Sequence, residues 1–125
     1  MNTFYLIAGL MLILLSLAYA LWGERKLFNL LTPNVVSQET IVSLYVPWHQ
    51  VTFLLFSSGL ALLLSAFRDE LAYLPYFVLT IIIGNFAIFI LICILKRQTE
   101  LFGKTLPQTI LFSLLIILIL LGILS

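Results

Sequence analysis

Charge is what this sequence has least of. Only 9% of its 125 residues are Asp, Glu, Lys or Arg, whereas a soluble domain carries about 25%. A chain with so little charge cannot cover a water-exposed surface, so lipid is the solvent that suits most of its surface. The formal net charge of +1 gives no basic patch for nucleic acid. These shortages exclude an ordinary soluble domain and a nucleic-acid-binding protein, and the length fits one domain.

Residues that bind metals or carry out redox chemistry are equally scarce. The chain has one cysteine, Cys93, and one histidine, His49. A single cysteine cannot form an internal disulfide or a cysteine-based metal centre. Zinc needs three or four ligands, and one face of the protein offers only His49, Glu24 and Glu39. The sequence has no GxGxxG, P-loop or CxxC motif. We therefore predict no catalytic residue, no metal site and no bound cofactor.

Apolar residues dominate instead, at 63% of the chain and a mean hydropathy of +1.24. A helix of about 20 apolar residues crosses the ~30 Å bilayer core. Four runs qualify, at about residues 4–22, 46–67, 71–95 and 108–124. Pro47, Pro75 and Pro107 fall in or before a first turn, where a missing N–H costs nothing. The sequence predicts an all-α integral membrane protein, a single antiparallel bundle of four transmembrane helices.

The basic residues predict the orientation of this bundle. Five lie in the first and third connections, residues 23–45 and 96–107, and the second connection has only Arg68. Short loops rich in Lys and Arg stay on the cytoplasmic side. We therefore expect both of these connections to be cytoplasmic and both termini to be non-cytoplasmic.

Small residues predict which helices approach each other, because association in lipid depends on close packing. The small residues recur at spacings of four: Ser57, Ala61 and Ser65 in the second span, Ser16 and Ala20 in the first, Thr80 and Gly84 in the third. We expect the second span to be central, between the first and the third. The fourth span should then be the most exposed to lipid, or an oligomer contact.

A polar cluster is expected where the first and second spans meet the cytoplasmic face. Glu24 and Arg25 end the first span, and His49 and Thr52 begin the second. A hairpin would permit a Glu24–His49 or an Arg25–Glu39 pair. A carboxylate beside His49 would make a pH-responsive pair, or His49 simply anchors the helix among lipid head groups.

Asn85 is the most deeply placed strongly polar residue. One interpretation is a ligand or ion contact, with Ser57 and Ser58 lining the same path. The other is an interhelical hydrogen bond to one of these serines, because polar residues in membrane bundles often join helices. A bis-histidine haem would require His49 from each of two protomers.

Three short motifs resemble a family of small four-span bacterial membrane proteins. They are WGERKLFNLL at 22–31, WHQVT at 48–52 and LPQ at 106–108. The family shares Gly-Glu-Arg after the first helix and Trp-His-x-x-Thr at the second. The resemblance implies the same topology and a location in the bacterial inner membrane. It points to Glu24, Arg25, His49 and Thr52, but it implies no reaction.

The function predicted from these features is non-catalytic. No charge lies inside a span, and such charges usually mark transport paths. We expect an accessory or assembly subunit of a larger membrane complex, with a membrane-protein partner or further copies of the chain. A small oligomeric transporter or channel is the alternative, and a quinone- or haem-associated redox helper is the second.

Overall fold

The computed structural model describes residues 1–27, 29, 34, 36–97 and 106–125, and these residues form helices and turns without a strand. The four long helices are α1 (Thr3–Trp22), α2 (Gln38–Phe67), α3 (Leu74–Leu95) and α4 (Leu106–Leu124). Each is long and apolar enough to cross a membrane. The prediction of an all-α chain with four candidate spans is confirmed. A π-helical turn, Gly23–Leu27, extends α1, and a 3-10 turn, Asp69–Leu71, precedes α3.

Helix α2 begins earlier than the proline pattern predicted. It has 30 residues and starts at Gln38, so Pro47 lies in its interior and not in its first turn. Ser37 is the N-cap, and its Oγ accepts a hydrogen bond from the Thr40 N–H at 3.2 Å. At ~1.5 Å per residue α2 is about 45 Å long, longer than a bilayer core. The predicted connection 23–45 is therefore helical from Gln38 onward.

The helices form a closed antiparallel ring. Each helix packs against two neighbours, so that α1 contacts α2 and α4, and α3 contacts the same two helices. Asn2 joins three helices at one end of the ring. Its N–H donates to the Ala66 carbonyl at 2.8 Å, and its Nδ2 donates to the Gly122 carbonyl at 2.9 Å. Its Oδ1 accepts from the N–H of Phe4 at 3.1 Å, which caps α1.

Helices α1 and α2 approach most closely at Gly9 and Gly59. A Cβ on Gly9 would lie 2.8 Å from the Gly59 carbonyl oxygen, and a Cβ on Gly59 would lie 2.8 Å from the Gly9 carbonyl oxygen. Only glycine at both positions permits this separation. Close backbone approach through small residues is how helices pack in lipid, and this crossing has that form.

The other small residues divide between the interior and the surface. Ser16 of α1 and Ser58 and Ser65 of α2 are buried. Thr80 and Gly84 of α3 face outward, and no heavy atom lies within 4 Å of a Cβ built on Gly84. The expectation that they pack inside the bundle is wrong, because α3 is apolar on all sides and its inner face is formed by larger residues. That inner face includes Val78, Ile82 and Cys93.

Helix α2 packs between α1 and α3, as predicted. Helix α4 is not the most exposed span, since α3 and α4 each have 17% of their most apolar stretch buried. The alternative that α4 forms an oligomer contact stays a prediction. Leu115 and Ile119 anchor α4 in the core with no exposed surface.

Candidate functional site

The carboxylate of Glu24 is the centre of a polar cluster at the end of α1. Its Oε1 lies 3.0 Å from Nε2 of His49 and also accepts a hydrogen bond from the Tyr45 hydroxyl. An ionised carboxylate only accepts hydrogen bonds, so with ionised Glu24 the proton of the His49 contact is on Nε2. The Tyr45 and His49 rings meet edge to face with centroids 4.5 Å apart. The three side chains form one connected unit between α1 and α2.

The local backbone explains how Glu24 reaches α2. The wider π-helical turn Gly23–Leu27 continues α1 beyond Trp22. Tyr45 and His49 are four residues apart on α2, so they lie on one face of that helix. The side chains of Glu24 and His49 are 45% and 32% exposed, which leaves the cluster accessible to solvent or lipid head groups.

Trp48 of α2 packs against α1 beside this cluster. Its indole stacks on the Tyr19 ring with centroids 4.2 Å apart and planes 6° apart, and its Nε1–H donates to the Tyr19 carbonyl at 3.1 Å. Trp22 stacks on its other side at 5.6 Å. A Cβ on Gly23 would lie 2.6 Å from Cε2 of Trp48. The Tyr19 and Trp22 rings, and the lack of a side chain at Gly23, thus fix the position of Trp48, the residue before His49.

The remaining predicted cluster residues lie nearby without joining the Glu24 unit. Thr52 donates its hydroxyl proton to the Trp48 carbonyl in its own helix at 3.2 Å. The carbonyl of Arg25 accepts from the Asn29 side chain at 3.0 Å. Among the described residues Arg25 forms no ion pair with Glu39. The structure therefore brings Glu24 and His49 together, but not Arg25 or Thr52.

Asn85 does not make the expected interhelical hydrogen bond. Its Nδ2 donates to the Ile81 carbonyl of its own helix at 2.8 Å. The hydroxyl of Ser58 likewise donates to Leu54 at 2.8 Å within α2. Neither Ser57 nor Ser58 lines the cavity that Asn85 lines. The three residues predicted to form one path thus lie in separate surroundings.

A cavity of about 210 Å³ lies between the four helices, beneath the Tyr19–Trp48 stack. Its lining is uncharged, and most of it is aromatic or aliphatic. The lining residues are Tyr19, Val51, Leu54, Leu55, Asn85, Phe86, Phe89, Gln108, Thr109 and Phe112. The Thr109 hydroxyl oxygen is buried without a hydrogen-bond partner among the described residues. The cavity combines apolar walls with a few polar groups, which is the composition typical of small-molecule sites.

The described residues contain no group of three or more His, Cys, Asp or Glu side chains that could hold a metal ion. An axial haem bond through Nε2 of His49 would have to displace Glu24, which lies 3.0 Å away. The chemistry that the cluster shows is hydrogen bonding between the end of α1 and α2.

Compared with known protein families, curated proteins and solved structures, the chain matches none of them. The resemblance carried by the Gly-Glu-Arg and Trp-His-x-x-Thr motifs thus stays a prediction. The function of this protein is therefore inferred from its own geometry.

Sequence reasoning did not identify four residues that organise the site and the bundle: Asn2, Tyr45, Gln108 and Thr109. The spacing of Tyr45 could have identified it, because a residue four positions before His49 lies on the same face of a helix. Gln108 and Thr109 are the only strongly polar pair at the start of the last span. Asn2 precedes the first apolar run, which is the position of a helix N-cap.

Proposed function

We propose that this chain is an accessory subunit of a larger complex in the bacterial inner membrane. It would act without catalysis by docking one helix face against a transmembrane helix of a partner protein. The docking face is the outward side of α3, centred on Gly84, with Thr80 one turn before it and Ile88 one turn after it.

The space around Gly84 is the observation that carries this proposal. A glycine inside a helix costs roughly 0.5–1 kcal/mol relative to alanine, and its usual benefit is close approach of another backbone. Gly84 makes no such close approach among the described residues, because none of their heavy atoms lies within 4 Å of a Cβ built on it. Gly9 and Gly59, by contrast, face each other across a helix crossing.

The flanks of Gly84 suit a second helix. Phe77, Ile88 and Leu91 share its face at helical spacing and are 66%, 56% and 55% exposed. Thr80 provides a second small residue four positions before Gly84, which gives the small-xxx-small spacing that transmembrane helices use for contact. These large side chains leave a shallow notch at Gly84, and they would pack against both sides of a helix that lies in this notch.

The charge distribution supports the proposed orientation in the membrane. Arg25 on the first connection and Lys96 and Arg97 after α3 lie at one end of the ring, and Arg68 lies at the other. The connections 23–45 and 96–107 would then be cytoplasmic. In this orientation the Glu24–His49 cluster faces the cytoplasmic boundary of the bilayer.

The test is a photo-crosslinking experiment in native membranes. A photoreactive phenylalanine analogue replaces Ile88, and irradiation should join the chain to one protein of defined mass. The same partner should co-purify in stoichiometric amount with the tagged wild-type chain after extraction in a mild detergent. Gly84→Leu should abolish both results, because a leucine side chain fills the notch.

Ile94→Phe is the matched control, since it adds bulk on the exposed surface of α3 away from Gly84. This variant should retain the partner. A crosslinked product with twice the mass of the chain would identify the partner as a second copy of this chain. Partner recovery that is equal in wild type and Gly84→Leu would refute the docking face.

A further inference from the structure

We propose that the cavity between the four helices binds the ring of a lipid-soluble quinone. The inference concerns binding alone and does not depend on the α3 docking face. It rests on the size of the cavity, its uncharged and largely aromatic lining, the buried Thr109 hydroxyl that has no partner among the described residues, and the groove that joins the cavity to the surface.

The cavity has the size of one substituted six-membered ring. Its volume is about 210 Å³, and an apolar cavity of ~150 Å³ accepts benzene. Phe86 and Phe112 lie on one side with ring centroids 6.1 Å apart, and Tyr19 and Phe89 add further aromatic surface. Aromatic side chains prefer stacked or edge-to-face contact with a planar ring.

The polar groups of the cavity suit a ring that bears carbonyl oxygens. The Thr109 hydroxyl is buried without a partner among the described residues, and a buried polar group of this kind is costly. The neighbouring Gln108 amide also lines the cavity and supplies two N–H donors. Two adjacent donors at the start of α4 can donate hydrogen bonds to the oxygen of a quinone.

The lining also excludes the charged lipids. None of its side chains is a Lys, Arg or His, so a fatty-acid carboxylate or a phospholipid phosphate would be buried there without a counter-charge. A neutral glycerolipid would satisfy the donors, but it has no ring to use the aromatic walls. A quinone ring meets both requirements.

A groove of about 410 Å³ adjoins the cavity and provides a path for the apolar tail. Four residues line both spaces: Tyr19, Leu55, Gln108 and Phe112. The groove runs between α1 and α4, and Ala18, Trp22 and Pro107 at its edge are exposed. A ring in the cavity would therefore leave its tail in the groove and in contact with lipid.

Tryptophan fluorescence provides the measurement, because both tryptophans of the chain, Trp22 and Trp48, line the groove. The full chain in detergent is titrated with decylubiquinone, a quinone with a short tail. Saturable quenching is the expected result. Thr109→Val should weaken the apparent affinity by about twofold to tenfold, the effect of one hydrogen bond. Thr80→Val removes an exposed hydroxyl from the outer face of α3 and should leave the affinity unchanged.

Thermal unfolding separates a ligand contact from a structural role. Without quinone, Thr109→Val should melt at the same temperature as wild type or higher, because the variant removes an unpaired buried hydroxyl. With decylubiquinone, the increase in melting temperature should be smaller for Thr109→Val than for wild type. Gly84→Leu should bind the quinone normally, so that failure of one proposal is distinguishable from failure of the other.

Three outcomes would overturn the inference. The first is quenching that increases linearly without saturation, which indicates only partition of decylubiquinone into the micelle. The second is equal affinity in Thr109→Val and Thr80→Val. The third is stabilisation by dioleoylglycerol with none by decylubiquinone, which would assign the cavity to a neutral glycerolipid.

Discussion

Oε1 of Glu24 lies 3.0 Å from Nε2 of His49 and joins the end of α1 to α2. The same oxygen accepts a hydrogen bond from Tyr45, so one carboxylate connects two side chains of α2. Both members of the Glu24–His49 contact are about a third or more exposed, and exposed ion pairs contribute little stability. The contacts of Glu24 therefore position the Tyr45 and His49 side chains more than they hold the helices together.

A double-mutant cycle measures this contact. We expect Glu24→Gln and His49→Gln to show a coupling energy of about 0.3–1 kcal/mol for unfolding in detergent. High salt should reduce the coupling if His49 is protonated, because ions screen exposed charges. Circular dichroism during thermal unfolding provides the free energies. The pair Glu39→Gln and His49→Gln is the control and should be additive, since the two residues are ten positions and thus about 15 Å apart along α2.

The crossing of α1 and α2 predicts opposite effects for two glycine substitutions. Gly9→Ala places a Cβ 2.8 Å from the Gly59 carbonyl oxygen and should destabilise the bundle by about 1–3 kcal/mol, as overpacking does. Gly84→Ala meets no atom within 4 Å and should retain or gain up to about 1 kcal/mol from helix propensity. Unfolding in detergent compares the two. Equal loss in both variants would contradict the assigned crossing.

Asn2 should contribute more to the stability of the bundle than its place before the first helix suggests. Asn2→Ala removes the side-chain bond to the Gly122 carbonyl and the cap of α1, so we expect a loss of about 0.5–2 kcal/mol, the range of an N-cap. Hydrogen exchange should increase at the amides of the first turn of α1. Thr3→Ala, an exposed neighbour, is the control. A loss in Thr3→Ala as large as that in Asn2→Ala would assign the effect to the segment and not to Asn2.

Hydropathy predicts the four spans because it depends only on composition over about 20 residues. It does not predict how each helix is rotated about its axis. In α3 the inward Ile82 is 1% exposed and the outward Ile88 is 56% exposed, yet the two residues are chemically identical. A helix that is apolar on all sides has no amphipathic pattern, which explains why the outward position of Gly84 was not predictable from the sequence.

The start of α2 shows two local patterns in conflict. In the sequence, Pro47 predicts a helix start, whereas Ser37, ten residues earlier, is a residue type preferred at the helix N-cap. The structure follows the serine, whose Oγ caps the helix. A proline inside a helix loses one hydrogen bond, but Pro47 is exposed, and a free carbonyl beside it can meet water or head groups. A hairpin of the first two spans predicts the Glu24–His49 contact, whereas the cavity depends on the packing of all four helices and cannot be predicted from one pair.

Cysteine labelling tests the proposed orientation. In a Cys93→Ser background, Glu70→Cys on the second connection should react with a membrane-impermeant maleimide in intact bacterial cells, because that connection has one basic residue and should be non-cytoplasmic. Glu39→Cys at the start of α2 should react only after the cells are permeabilised, because connection 23–45 should be cytoplasmic. Both residues are exposed, so differences in labelling report the side of the membrane. The opposite pattern would reverse the orientation and place the Glu24–His49 cluster on the outer face.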